Sequence, residues 1–196
     1  GFIWVCWVCW VWCRTGEGSL FTWGNGDKYR LGHGSTDKEA VPRLVASLRA
    51  RPPVKDVACG LGHTLVLLVN GEVFAWGNGA NGRLGLGDAH DRTNATPIVA
   101  LLPPSTHCGQ KPAVEAPSVC CYPKDIKESP SGQQRANERQ IPSTFSPYHE
   151  SSNPRLTAPI VAVFSGASHS LAVDASGNAY SWGKNNQGQC GTGSTE

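Results

Sequence analysis

Three stretches of this sequence lie over one another without effort, and that self-similarity limits the fold more than any other feature. Gly18-Ser-Leu-Phe-Thr-Trp23-Gly24 is followed by Leu31-Gly32-His33-Gly34, and Gly71-Glu-Val-Phe-Ala-Trp76-Gly77 by Leu84-Gly85-Leu86-Gly87. Gly177-Asn-Ala-Tyr-Ser-Trp182-Gly183 is followed by Cys190-Gly191-Thr192-Gly193. In each, the leading glycine stands five residues before the tryptophan, and the later glycine pair falls at the same offsets. A second motif precedes two of these stretches. Gly60-Leu-Gly-His63-Thr-Leu65 and Gly166-Ala-Ser-His169-Ser-Leu171 both place a histidine thirteen residues ahead of the tryptophan. Two motifs that recur in register with one another mark a repeated structural unit.

The unit reads as β structure. Val54–Cys59, His63–Val69 and Glu72–Trp76 are short runs rich in Val, Leu, Phe and Trp, bounded by glycine turns. Asn70-Gly71 between the last two is the dipeptide that a two-residue hairpin prefers, and it predicts positive φ at both positions. Thr64-Leu-Val-Leu-Leu-Val69 does not alternate apolar with polar, so the strand is expected to be covered on both faces. Small antiparallel sheets sandwiched between neighbours and repeated about every fifty residues are propeller blades. The expected fold is all-β: a partial β-propeller of about two to three four-stranded antiparallel blades in an incomplete ring. Each tryptophan is expected to be buried against a neighbouring blade, for a stabilisation of about 2–3 kcal/mol by area.

The pattern Gly60-x-x-His63, Gly71, Trp76-Gly77, Gly82-x-Leu84-Gly85-x-Gly87 resembles the repeat of the regulator of chromosome condensation family. Pro97-Ile-Val and Pro42-Arg-Leu-Val match the proline-led strand that closes such repeats. Kelch repeats lead with a double glycine, and WD repeats end in Trp-Asp; neither feature is present. The resemblance covers Gly16–Leu102 and Pro159–Glu196. It implies a seven-bladed ring, of which this chain holds one nearly complete repeat with partial ones on either side.

The repeats divide the chain into four parts: 1–15, 16–102 with the first two repeats, 103–158, and 159–196 with a truncated third. From Trp4 to Cys13 only Trp, Val and Cys occur, and all three can be written with codons of G and T alone. A GT-rich tract translated in frame, or otherwise an unstructured run, is the first reading of residues 1–15; a true buried strand is the second. Trp7 and Trp10 stand where the repeat expects Gly and His. The run is too short to span a bilayer as a helix and has no basic leader or cleavage site. The chain has no Met, so the text is expected to start partway through a reading frame. Residues 103–158 are rich in Pro, Ser, Gln and charge, and the expectation is a disordered surface loop. Ser129-Pro130 and Ser146-Pro147 in it are candidate phosphorylation sites, with an unmodified spacer, or a docking segment, as the alternatives.

Charge is nearly balanced, 17 basic against 15 acidic residues, which argues against nucleic acid as a partner of this segment. Of the eight cysteines only Cys6 and Cys9 have the spacing of a zinc-ligand pair, and one pair makes no site. The remaining reading is thiols of an intracellular protein. Gly77-Asn-Gly79-Ala-Asn-Gly82 matches a dinucleotide fingerprint, but the residues after it do not make the helix that such a site needs. His63 and His169 recur at one position of the repeat, which favours hydrogen bonding between strands over catalysis. Asp88, His90 and Asp91 lack a nucleophile beside them, and Asn94-Ala-Thr96 is a glycosylation sequon in pattern only.

No catalytic, cofactor-binding or metal-ligating residue emerges, and no cofactor is expected. The resemblance implies a non-catalytic interaction module, nuclear or cytoplasmic and without a membrane span. Its partners would be a protein and the remaining blades of the same chain. The family's founding member promotes nucleotide release from the small GTPase Ran and docks on chromatin, which implies guanine-nucleotide exchange. Gly26-Asp-Lys-Tyr-Arg-Leu-Gly-His-Gly34 resembles more the propellers of large HECT-type ubiquitin ligases, where such a module recruits substrates. The catalytic cysteine of such a ligase would lie outside these eight.

Overall fold

The computed structural model describes residues 2–6, 10–101, 120–122, 158–193 and 195; for 2–6, 10–12 and 120–122 it describes the backbone alone. The described residues are all-β, built as three four-stranded antiparallel sheets that do not close into a ring. Blade one runs β1 (Phe2–Cys6), β2 (Trp10–Arg14), β3 (Leu20–Gly24) and β4 (Glu39–Leu44). Blade two runs β5 (Val54–Cys59), β6 (His63–Leu68), β7 (Val73–Gly77) and β8 (Arg92–Pro97). Blade three takes β10 (Ile160–Ser165), β11 (His169–Asp174) and β12 (Ala179–Gly183), with β9 (Cys120–Tyr122) as its fourth strand. The β3–β4 and β7–β8 links each hold a single 3-10 turn and no longer helix.

Packing follows from side-chain alternation. Every residue of β6 is buried, as its unalternating apolar text predicts for a strand with a sheet on either side. Val66, Leu68, Phe74 and Trp76 point to blade one and join Leu20, Val45, Leu48, Val54 and Val57 in one cluster. Leu65, Leu67, Val73 and Ala75 point the other way, onto Ile160, Val163, Ala172, Tyr180 and Trp182 of blade three. Among the described residues the core is therefore two seams between sheets, and no blade holds a core by itself.

Three sequence expectations change. The hairpin between β6 and β7 is not a two-residue turn with both centres at positive φ. Gly71 N donates to Leu68 O at 3.0 Å and Leu68 N to Glu72 O at 2.9 Å, and of Asn70 and Gly71 only Gly71 has positive φ, +86°. This is a three-residue connection ending in a glycine bulge, which suits the twist of the strands equally well. Second, the Trp/Val/Cys run, for which an unstructured run was expected ahead of a strand, has strand backbone in β1 and β2. Val, Trp and Cys tolerate that backbone, and Trp10 faces Gly24 as His63 faces Gly77, so Trp10 holds the histidine place. Third, Cys120–Tyr122, inside the segment expected to be a disordered loop, pairs antiparallel with β12. Ser129, Ser146 and the rest of 103–157 lie outside the described residues.

Candidate functional site

The recurrent residues meet at the two seams. In blade one, Asn25 starts a tight turn by accepting the Asp27 amide at 2.8 Å, and Lys28 and Tyr29 take left-handed backbone. The Arg30 side chain curls back, its Nε donating to Asp27 O at 2.6 Å, which leaves the Arg30 carbonyl facing blade two. That carbonyl accepts from Thr64 Oγ1 and from Trp76 Nε1, both at 2.9 Å. Blade two repeats the device. Asn78 accepts the Ala80 amide at 2.8 Å, and Arg83 Nε donates to Ala80 O at 2.8 Å. The Arg83 carbonyl accepts from Ser170 Oγ at 2.8 Å and Trp182 Nε1 at 3.0 Å. These bonds are buried, so removing one donor costs on the order of 1–3 kcal/mol.

The Leu-Gly motif supplies the slot for each indole. A Cβ on Gly32 would stand 2.8 Å from Trp76 Nε1, and one on Gly85 would stand 2.7 Å from Trp182 Nε1. Both glycines also hold positive φ, +76° and +71°, so space and backbone exclude other residues together. The Thr22 hydroxyl donates to Leu31 O and Ser181 to Cys190 O, at 2.7 and 2.6 Å, fastening each loop to its own sheet.

His63 bridges the second seam. It is fully buried, with Nε2 at 2.9 Å from Ser165 Oγ and 3.0 Å from Ser170 Oγ. Both hydroxyls spend their protons elsewhere, on Gly166 O and Arg83 O. Nε2 therefore carries the imidazole proton, and Nδ1, which has no partner, is the bare nitrogen. Burial first, then the nearby Arg83 and His169 charges, push the His63 pKa down to about 3. A neutral ring that donates to hydroxyls does not activate them as nucleophiles. For His63 this geometry provides the expected bonding between neighbouring strands, here strands of two blades.

The other sequence candidates serve their own loops. Asp88 pairs with Arg92 at 2.6 Å and accepts the His90 amide, while Asp91 accepts the Gly79 amide at 2.9 Å. The hydrogen bond from Arg92 outweighs partial burial and holds the Asp88 carboxyl below its ordinary value. Gly77–Gly82 runs into one 3-10 turn with Asn81 at φ +60°, which opens no helix. Asn94 is exposed on β8, and the side chains of Cys6 and Cys9 lie outside the described residues. Among the described residues no three His, Cys, Asp or Glu side chains gather as for a metal ion. A cavity of about 140 Å³ between Glu17, Leu48, Arg49 and Pro53 is smaller than the ~300 Å³ at which small-molecule sites begin. No described helix is long and apolar enough to cross a membrane.

What the sequence reading missed is the arginine. Arg-Leu-Gly recurs at 30–32 and 83–85, and that repetition was the signal; the acting atom is a backbone carbonyl, which no residue type announces.

The regulator of chromosome condensation repeat profile matches residues 17–67 and 70–136, and a second profile of the same repeat matches 54–83 and 160–189. The chain belongs to the regulator of chromosome condensation repeat family. The family match runs to residue 136, past the boundary at Leu102 drawn from the motifs. Among curated relatives, human E3 ubiquitin-protein ligase HERC2 is 52% identical over 75 residues, which are 37% of this chain and 2% of HERC2. Among solved structures, human WBSCR16 superposes with a TM-score of 0.60 at 22% identity, over 96% of this chain and 35% of that one. Prp20p from Saccharomyces cerevisiae, studied for its binding to Gsp1p and histones, gives 0.55 at 16% identity, over 91% and 32%. The chain thus spans a small part of each relative's length. These repeats form regulatory interaction modules, and the match to the ligase HERC2 covers 2% of its length.

Proposed function

We propose that this family segment is a non-catalytic docking module that regulates a protein partner by contact, in a nuclear or cytoplasmic setting. One observation carries the reading. The recurrent chemistry-bearing side chains (Trp76, Trp182, Thr64, Ser170 and His63) are committed to seams between blades, which leaves the loops as the binding surface. Guanine-nucleotide exchange on a small GTPase is supported by the fold shared with Prp20p. Substrate recruitment within a HECT-type ligase is the second reading, favoured by the 52% identity to HERC2.

Release of a fluorescent guanine nucleotide from Gsp1p tests the first. Acceleration that saturates with chain concentration supports exchange. Unchanged release at saturating chain removes it. The second reading then predicts that HERC2 keeps ubiquitylating its substrates when this segment replaces its matching repeats, and loss of that activity rejects recruitment.

A further inference from the structure

Asn-Gly occurs four times in this chain, at 25–26, 70–71, 78–79 and 81–82, and each pair is open to one spontaneous reaction. A glycine nitrogen, with no Cβ to hinder its approach, attacks the carboxamide carbon of the asparagine before it. The fold treats the four pairs differently. Asn25 and Asn78 commit their side-chain oxygens to the Asp27 and Ala80 amides, both at 2.8 Å. Gly26 and Gly79 after them are buried, and a Cβ on either would collide with the Asp37 or His90 carbonyl oxygen. Gly79 N also donates to the Asp91 carboxylate at 2.9 Å. Asn70 is exposed, but its oxygen accepts the Glu72 amide at 3.2 Å, and the buried Gly71 packs against Pro159.

Asn81 has none of these restraints. Its side chain is exposed and, among the described residues, makes no hydrogen bond, while the neighbouring bonds of the turn run between other groups. Gly82 stands in open space: a Cβ there would meet nothing within 4 Å. The attacking amide is held by a single bond, from Gly82 N to Gly79 O at 3.0 Å. Asn81 also sits in left-handed backbone, φ +60°, a conformation that costs a side-chain-bearing residue energy and that opening of the turn relieves.

We propose that Asn81 is a deamidation site whose conversion loosens the seam between blades two and three. Gly82 N gives its proton to solvent and attacks Asn81 Cγ. The N–Cγ bond forms, the Cγ–Nδ2 bond breaks, and Nδ2 takes a proton from solvent and leaves as ammonia. The cyclic imide that results then adds water. Opening at the side-chain carbonyl leaves aspartate at position 81. Opening at the main-chain carbonyl leaves isoaspartate, whose backbone runs through the former Cβ and is one carbon longer. No atom is oxidised or reduced in either step. The extra carbon falls inside the turn that the bond from Arg83 Nε to Ala80 O closes, two residues before the carbonyl that receives Ser170 Oγ and Trp182 Nε1. A turn lengthened there moves Arg83 O away from the indole, and both donors of the seam lose their acceptor.

Ageing the chain at mildly alkaline pH, with each pair followed by tandem mass spectrometry of its peptides, tests this. Each native rate is divided by the rate of the same pair in urea, which removes the influence of neighbouring sequence. On that scale Asn81 is expected to convert about tenfold faster than Asn25 or Asn78, the ratio imposed by one further hydrogen bond that must open. Isoaspartate is expected at position 81, detected by labelling with an isoaspartyl methyltransferase. Hydrogen exchange should then be faster in β10 to β12 of the aged chain than of the fresh one. Asn81→Lys removes the carboxamide and copies Lys28, which holds the same place in blade one at φ +61°; its aged sample should exchange like its fresh one. Asn81→Gly serves the same comparison should Asn81→Lys fail to fold. Native Asn81 converting no faster than Asn25 and Asn78 overturns the site. Isoaspartate at position 81 with protection of β10 to β12 unchanged, or an equal loss of protection in aged Asn81→Lys, overturns the effect on the seam.

Discussion

Tyr29 holds φ +59° at the place where the other two repeats have Gly82 and Gly188, at +67° and +71°. Left-handed backbone costs a side-chain-bearing residue about 1–2 kcal/mol, and glycine returns part of that as unfolded-state entropy. Tyr29→Gly is therefore expected to raise the unfolding free energy by about 0.5–1 kcal/mol in urea denaturation. His63 argues in the other direction. Its pKa is about 3 folded and near 6.5 unfolded, so the unfolded chain binds more protons between those values. Stability is full above pH 6.5 and falls as the pH drops toward 3. The fall in denaturation midpoint across that window should be shallower in His63→Gln. Asp174 adds a lower window. Burial raises its pKa, but bonds from Asn178, Tyr180 and Ser176 outweigh that and hold it below 3.8, so its contribution fades as acid approaches and passes that value. The role of His63 was legible because it recurs at one position; the tautomer was not, since it depends on Ser165 and Ser170 a hundred residues away.

Strands differ as sharply as residues do. All of β6 is buried, whereas β4 shows four consecutive exposed residues and a register shift where it leaves β3. Hydrogen exchange should accordingly find β6 amides protected to near the global unfolding free energy and β4 amides exchanging through local opening. A result with β4 as slow as β6 would contradict this burial order. The short apolar runs of β5 to β7 were readable from text because each ends at a glycine turn. The type of turn at Gly71 was not, because Asn-Gly suits both hairpin geometries and the flanking strand twist selects between them. Nor was β9, a three-residue strand whose partner β12 lies far along the chain.

At the scale of the molecule, stability is a matter of neighbouring blades. Leu65 is fully buried in the seam between blades two and three. Leu65→Ala should cost about 2–5 kcal/mol. Hydrogen exchange should show β10 to β12 losing protection before β3, because the other seam keeps its own cluster. Uniform loss across all three blades would show instead that the seams melt as one unit.

The amino-acid text alone determined that the chain repeats, that each repeat is a small sheet, and that the sheet of the second repeat is covered on both faces. Those properties are local: periodicity, turn glycines and unalternating apolar runs act within a few residues of one another. Only the tertiary structure decided which face each tryptophan takes and which carbonyl receives it. The Arg30 and Arg83 carbonyls belong to the backbone, and their partners sit 34 to 99 residues further along the chain. A contact between a main-chain oxygen and an indole that far away becomes visible once the sheets are stacked.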